Sequence, residues 1–589
     1  MRSTRKAVLL LAPAFAGAPV YAQTTPPVPT REEIQRVPVA PAAPPTGRVS
    51  IEGDIERAPC PLADPAYANV RVTLSQVQFN GLGPVDPEIV RPAYADAIGK
   101  TLAIAEVCEI RDRAATLLRR AGYLAAVQVP AQRIENGVVR FDVLLAKLVG
   151  IQVRGDAGAS EGIVQRYLSA IQRQPVFNVI EAERYLLLAR DLPGFDVRLA
   201  LRPAGTVPGE VIGEARVVRV PVELDLNVQN YGSNPVGRWG GTLQLRLNGL
   251  LGLGDRTTLG IFTTAQTREQ QVLQAGEEIR IGGNGLTFSL DGNYAWTRPS
   301  LGPTIDLRSR TFSATAKLRY PLIRRQSHDL YLSGGMDLVN QTSRLGPLPL
   351  TRDRLRVAFA RLDFDAIDPK SIASNTGYSF AEPRWRFLSG VELRQGVDIF
   401  GASNGCGVAP FTACTGAGVV PPSRIEGDPT AFVGRFYGIA EFRPVPKIAF
   451  SLQPRAQYAP KALLSYEEFS AGNYTIGRGY DPGTIIGDSG VGFRSEIAYG
   501  SLIPRTAKSF AWQAYGFFDA AWIWNKDSAS NGIDPEKLQS AGGGIRIAYG
   551  DRFQIDGTAA VPLRRAGLQT TRGDTRFLLT LTTRLLPWR

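Results

Sequence analysis

Residues 242–249 read TLQLRLNG. In an extended chain Leu243, Leu245 and Leu247 fall on one face, and Gln244, Arg246 and Asn248 on the other. The pattern recurs. LTFSLDG (286–292) sets Leu286, Phe288 and Leu290 against Thr287, Ser289 and Asp291; ATAKLRYP (314–321) sets Ala316, Leu318 and Tyr320 against Lys317 and Arg319. GFRSEIAYG (492–500) sets Phe493, Ile497 and Tyr499 against Arg494 and Glu496. From residue 215 onward helical spacing is absent, and strand follows strand. A soluble sandwich alternates too, but this region is large for one sandwich. Its polar face also carries charges in mid-strand, as a wide hydrated lumen requires. At roughly 20–25 residues per strand and connection, the region 215–589 accommodates about 16 antiparallel strands of a transmembrane β-barrel. Trp512, Phe518, Trp522 and Trp524 share one face and suit an interfacial aromatic girdle. Arg246, Lys317, Arg494 and Glu496 are expected to face the lumen.

The remaining composition agrees with an exported barrel. No apolar run outside the first residues reaches the roughly 18–20 that a membrane helix needs, and mean hydropathy is −0.08. A membrane-spanning chain of this kind must therefore span as a closed barrel. The net charge of +13 comes from arginines spread along strand-like segments. With no basic helix and no Lys/Arg block, nucleic acid is set aside as a partner, in favour of a basic interior or an acidic partner. MRSTRKAVLLLAPAFAGAPVYA (1–22) has a basic start, an apolar stretch and Val20-Tyr21-Ala22 at its end, the pattern of a secretory signal.

There are four cysteines. Cys60 and Cys108 are spaced to staple a linker to a helix, and Cys406 and Cys414, in NGCGVAPFTACTG (404–416), to close a small loop. With no CxxC pair they read as disulfides of an oxidising compartment, not as metal ligands. No metal, cofactor or catalytic group is expected. The single histidine, His328 in RRQSHDLYL (324–332), falls at a turn between strands and is a poor candidate for Ser-His chemistry.

Residues 23–67 are Pro-rich and read as a linker, with one short helical candidate, Arg31–Val37, ending at Pro38. Between 68 and 148 the period changes: NVRVTLSQVQF is strand-like, PEIVRPAYADAIG and IAEVCEIRDRAATLLRRAG are helical, and YLAAVQVPAQRI and GVVRFDVLLAKL are strands again. Gly122 is placed as the C-cap of the second helix. The order β-α-α-β-β then recurs over 149–214, from LVGIQVRGD to GEARVVRVPVEL.

Two small α/β modules ahead of a barrel, with GRGY at 477–480, resemble the two-partner secretion transporters, the TpsB-type (ShlB/FhaC/HecB-like) outer-membrane proteins. The likeness covers nearly the whole mature chain. It is carried by GYLAAVQVPAQRIENGVVRFDV (122–143), LLLARDLPGFDVRLALRPAG (186–205), NYGSNPVGRWGG with NGLLGLGDR (230–256) and, most specifically, GRGY through GDSGVGFRSEI (477–497). The resemblance implies two periplasmic POTRA domains. It also implies a long extracellular loop that folds back into the barrel, with Arg478, Gly479 and Tyr480 at its tip. In that family the arginine meets an aspartate in a late inner-wall strand of pattern G-x-x-D, supplied here by Gly516 and Asp519 in AYGFFDAAWIW (514–524). Alternation independently puts Asp519 on the lumen face, because Phe518, Ala520 and Trp522 take the lipid face. Glycines at 477 and 479 allow close approach to a wall.

The implied function is an outer-membrane pore, with its POTRA modules in the periplasm, that moves an unfolded TpsA-like exoprotein of β-helical fold to the cell surface. Its other partners are outer-membrane lipid and, during biogenesis, the barrel assembly machinery. The alternatives are an outer-membrane protein assembly or insertion factor of the same superfamily and a passive porin. Family members usually open with a long helix that plugs the barrel, and this chain offers only Arg31–Val37. Outer-membrane barrels commonly end on an aromatic residue, whereas this chain ends LLPWR, with Pro587 disturbing the strand and Trp588 next to last.

Overall fold

The computed structural model describes residues 29–35, 60–205, 207–372, 377–527, 534–567 and 569–587. The signal segment 1–22, most of the linker and Trp588 lie outside the described residues.

The first module contains β1 (Arg71–Thr73), β2 (Gln76–Asn80), β3 (Thr101–Ala103), α2 (Glu106–Arg120), β4 (Ala125–Gln128) and β5 (Val138–Leu145), after an N-terminal helix α1 (Arg31–Ile34). Ile110, Ala114 and Leu118 recur every fourth residue of α2, so they share one face and bury it against Val139 and Phe141 of β5. Gly122 follows α2 at φ +90°, where a Cβ would meet Asn178 Oδ1 at 2.6 Å. Two expectations are corrected here. The stretch 69–79 is two strands, not one: Ser75 N–H turns to Gly137 O at 2.9 Å, β1 pairs with β3, and β2 runs parallel to β5. The segment 87–99 is not an α-helix but two 3-10 turns, Pro87–Ile89 and Arg91–Ala93. Pro92 lacks an N–H and would collide with the carbonyl four residues back.

The second module runs β6 (Lys147–Gly155), α3 (Glu161–Gln172), α4 (Val179–Arg190), β7 (Phe195–Pro203) and β8 (Glu210–Arg219), with sheet order β6-β8-β7. Asn178 caps α4, its Oδ1 accepting the Ile180 N–H at 2.9 Å. Its last strand continues to Arg219, beyond the residue 214 expected for the module's end. The module docks on the barrel through α4: Asp191 accepts two hydrogen bonds from Arg324, both 2.7 Å, and Arg184 donates to Pro321 O at 3.0 Å.

Sixteen antiparallel strands close the barrel. They are β9 (Val222–Gln229), β10 (Gly240–Asn248), β11 (Arg256–Thr264), β12 (Gln270–Ile281), β13 (Leu286–Thr297), β14 (Leu307–Arg324), β15 (His328–Leu345) and β16 (Leu348–Ile367). Then come β17 (Trp385–Gly396), β18 (Phe432–Val445) and β19 (Ile448–Tyr458). After a hairpin of β20 (Phe469–Ala471) and β21 (Ile485–Gly487) follow β22 (Ser489–Ser501), β23 (Phe510–Trp524), β24 (Glu536–Tyr549), β25 (Phe553–Pro562) and β26 (Arg576–Leu586). β26 pairs with β9, and Asn227 donates across that seam to Thr582 Oγ1 at 2.9 Å, so no edge is left for lipid to meet.

The alternation resolves into two faces. Leu243, Leu318, Ile497, Tyr499, Trp512 and Phe518 are exposed on the outside, whereas Gln244, Asn248 and Asp519 are buried inside. Arg246 donates to Glu223 at 3.0 Å and pairs with Asp225 on the inner face; Lys317 lies opposite the buried Ser289 on that face. Ala520 has outward parity yet is buried, because Phe493 lies opposite it and packs on Phe518 and Trp522. One set of strand ends lies next to the second module, and the longer loops lie at the opposite, outer end. The long outer loop 397–431 carries one disulfide, Cys406–Cys414, and Cys60–Cys108 ties the start of the first module to α2.

Candidate functional site

The loop 459–488, between β19 and β22, does not stay outside. It folds into the barrel, where its hairpin buries Phe469, Ile476 and Ile485 against Ala521, Ile523 and Leu538 of the wall. The tip passes so close to the wall that two positions admit no side chain. A Cβ at Gly479 would come within 2.9 Å of Ser540 Cβ and of Pro562 N, and one at Gly477, whose φ is +112°, within 2.6 Å of Leu538 Cδ1.

Between these glycines Arg478 reaches the wall. Its Nε and Nη2 donate to the two oxygens of Asp519 at 3.0 and 2.7 Å, and its backbone N–H adds a third bond to Oδ2 at 3.0 Å. Nη1 donates to Glu496 Oε2 at 2.7 Å, and the guanidinium lies 3.6 Å from the centroid of the Phe517 ring. Glu496 is shared: Arg546 donates to both its oxygens, at 2.7 and 3.0 Å, and also to Asp556 at 3.0 Å. A planar fork facing a planar carboxylate fixes orientation as well as distance, which an ammonium would not do. Arg494 stands opposite Asp519 in the strand register but bonds elsewhere, to the Asn473 carbonyl at 2.5 Å. The Tyr480 hydroxyl is within reach of Gln539 O at 2.7 Å and Arg564 O at 2.8 Å, and Asp481 pairs with Arg576 at 2.8 Å.

Further up the loop two adjacent acids repeat the arrangement with other arginines. Glu467 accepts from Arg394 at 3.0 and 2.8 Å and from Arg435 at 2.7 Å. Glu468 pairs with Arg424 at 2.9 Å, and Arg424 also holds Asp488 and, at 2.8 Å, Asp527. Carboxylates and guanidinium groups buried in this number are tolerable only because each finds an opposite charge.

The N-terminal helix α1 lies in the lumen beside this loop, a correction to its reading as part of a linker. Thr30 and Glu33 form a capping box. Glu32 accepts from Ser470 of the loop at 2.9 Å and from Arg455 of the wall at 3.3 Å. Ile34 is fully buried among Phe262, Val272, Leu355 and, from the loop, Leu464 and Tyr466. Loop and helix leave a polar cavity of about 920 Å³, bounded by Glu382 and Ile503 near the periplasmic turns and by Glu32, Arg478 and Arg494 above.

Residues 214–547, more than half of the chain, match the family model of haemolysin secretion/activation proteins ShlB/FhaC/HecB. The chain belongs to this family. Residues 72–145 match the ShlB-type POTRA domain. The heme/hemopexin transporter protein HuxB of Haemophilus influenzae is 21% identical over 560 residues, 90% of each chain. The hemolysin transporter protein HpmB of Proteus mirabilis is 22% identical over 437 residues, 72% of this chain and 70% of the relative. Among solved structures, CdiB from Escherichia coli superposes with a TM-score of 0.69 at 15% identity, over 90% of this chain and 94% of its own. CdiB from Acinetobacter baumannii gives 0.62 at 16%, over 91% and 95%. As in other ShlB/FhaC/HecB members, the barrel lies in the outer membrane and the POTRA modules in the periplasm.

The structure brings Arg478, Gly479, Tyr480 and Asp519 together at one spot, places Glu496 in the same network, and puts Arg494 beside it with a different partner. His328 opens β15, with its Nδ1 2.9 Å from Ser327 Oγ. Sequence reasoning missed Glu467, Glu468 and their arginines. Two consecutive acids in SYEEFS (465–470), ahead of a Gly-rich tip, were the available signal.

Proposed function

We propose that this chain exports a secreted TpsA-like protein of β-helical fold through its lumen, in unfolded form, after the periplasmic modules have captured it. The carrying observation is that two elements outside the barrel ladder, the loop 459–488 and the four-residue helix α1, occupy the lumen, and that α1 is far the smaller of the two. Withdrawal of α1 enlarges the cavity that already opens below Arg478. The Arg478–Asp519–Glu496 network keeps the loop tip on the wall while the partner passes. Capture is by strand addition: an extended amphipathic segment joins a free sheet edge of a module and gains main-chain hydrogen bonds without demanding one sequence. The names of HuxB and HpmB, transporters of heme/hemopexin and hemolysin, accord with a protein cargo. The test is to cross-link α1 in place, with Glu32→Cys and Ser470→Cys joined by a short bis-maleimide, and to measure partner protein in the medium. Export is expected to stop in the cross-linked protein and to persist in the unlinked pair. Unchanged export with α1 locked would overturn passage through the lumen.

A further inference from the structure

The outside of the barrel is not uniformly covered. At the extracellular ends of β17, β18, β19 and β22 the lipid-facing side carries a groove of about 710 Å³, within the roughly 300–1,000 Å³ of small-ligand sites. Gly434 and Ala456 leave its floor bare, and Leu393, Phe436, Tyr458, Val491 and Trp524 wall it. Those five side chains are exposed, with the outward parity of their strands, so the groove belongs to the surface that the membrane covers. Lys526 lines its rim. One strand further on, Lys537 lies directly opposite Trp522, and it points outward because its neighbour Leu538 is fully buried inside. Neither ammonium has an ion pair among the described residues. One carboxylate, Asp534, shares the rim and accepts the Asn525 N–H at 3.0 Å.

Acyl chains fill an apolar hollow in a lipid-facing wall, because water there would lose its hydrogen bonds. The two lysines flank Trp522 and Trp524 at the level where aromatic rings meet headgroups. We propose that this groove is a binding site for lipid A, with one acyl chain laid over Gly434 and Ala456 and its phosphates on Lys526 and Lys537. The position in the outer leaflet and the two separated cations suit a lipid with many chains and two phosphates, and suit a single-phosphate glycerolipid less well.

The experiment measures lipid retained by the purified full chain in detergent, by native mass spectrometry, with lipid A or phosphatidylglycerol added at equal concentration. The parent is expected to retain lipid A in preference. Gly434→Leu is expected to lose it. A Cβ at position 434 meets nothing nearer than the Phe432 ring at 3.8 Å, so the leucine enters the groove without straining the wall. Ala456→Leu is a second filling variant should the first not fold, as judged by heat-modifiable migration. Lys526→Gln and Lys537→Gln are each expected to weaken retention about fivefold. Equal retention of the two lipids, or undiminished lipid A in a folded groove-filled variant, would overturn the assignment.

Discussion

The loop 459–488 and the helix α1 occupy the same lumen, but they are held differently. The loop is joined to the wall at both ends, buries an apolar patch, and is tied by three arginine–carboxylate clusters centred on Arg478, Arg394 and Arg424. Helix α1 has four residues; Glu32 meets Arg455 at 3.3 Å and Ser470 at 2.9 Å, Gln274 of the wall donates to the Ile34 carbonyl at 3.4 Å, and Ile34 is its one fully buried apolar side chain. An isolated helix that short does not sustain itself, so its structure exists only while it is docked. The loop is part of the fold. The helix behaves as a tethered ligand of that fold, the division that the proposed opening of the lumen requires.

The contrast breaks first at the loop tip. Arg478→Ala and Asp519→Ala are each expected to cut export of the partner at least about tenfold with the barrel still inserted, as amounts of partner in the medium and heat-modifiable migration would read. The double variant should be little worse than either single one, since both remove the same contact. Arg478→Lys should recover part of the export, because an ammonium keeps the charge but loses the fork. Normal export by both alanine variants would reduce the tip to a structural loop. Arg424→Ala tests the loop's upper end. It leaves Glu468, Asp488 and Asp527 facing one another, a loss of about 3–5 kcal/mol, expected as a lower temperature for the heat-modification transition.

The helix side of the comparison calls for a smaller and different response. Ile34→Asp removes burial worth about 1.5–3 kcal/mol, or roughly 10- to 150-fold in occupancy of the lumen. Conductance in planar bilayers should therefore rise while the heat-modification transition stays where it is. A fall in that transition would mean that α1 is part of the fold after all. The smallest effect belongs to the outer loop: Cys406→Ser with Cys414→Ser opens a bridge of sequence separation 8 within residues 397–431. Export should remain within about twofold of the parent, with faster proteolysis of residues 397–431 on intact cells as the readout.

Much of the barrel could be read from period alone, because lipid on one side and water on the other impose opposite chemistry on alternate residues. Gly516 and Asp519 in β23 were picked out by the family resemblance, and period added only the facing of Asp519: an acid between Phe518 and Ala520 has only one face to occupy. The two disulfides follow the pairing that compartment and spacing suggested. Less legible was the first module, where the 87–99 stretch has helical spacing but Pro92 breaks the backbone bonding that spacing presumes. Least legible was α1. The short helical candidate Arg31–Val37 could be read, but not its place: that comes from Ser470, Arg455, Leu464 and Tyr466, more than four hundred residues away in the chain.

By itself, then, the sequence determined which faces meet lipid and that the chain closes as a barrel behind two α/β modules; which arginine stands at the loop tip came from the resemblance carried by GRGY. The first two properties are set by neighbours a few residues apart, through alternation and the need of every backbone group in lipid for a partner. Only the tertiary structure decided that Glu496 joins Arg478 to Arg546, that Arg424 gathers three carboxylates, and that α1 lies against the loop. Each of these is a pairing of charges or surfaces distant in the chain. Many arginines and acids in this sequence could have paired, and the shape of the closed lumen selects which of them meet.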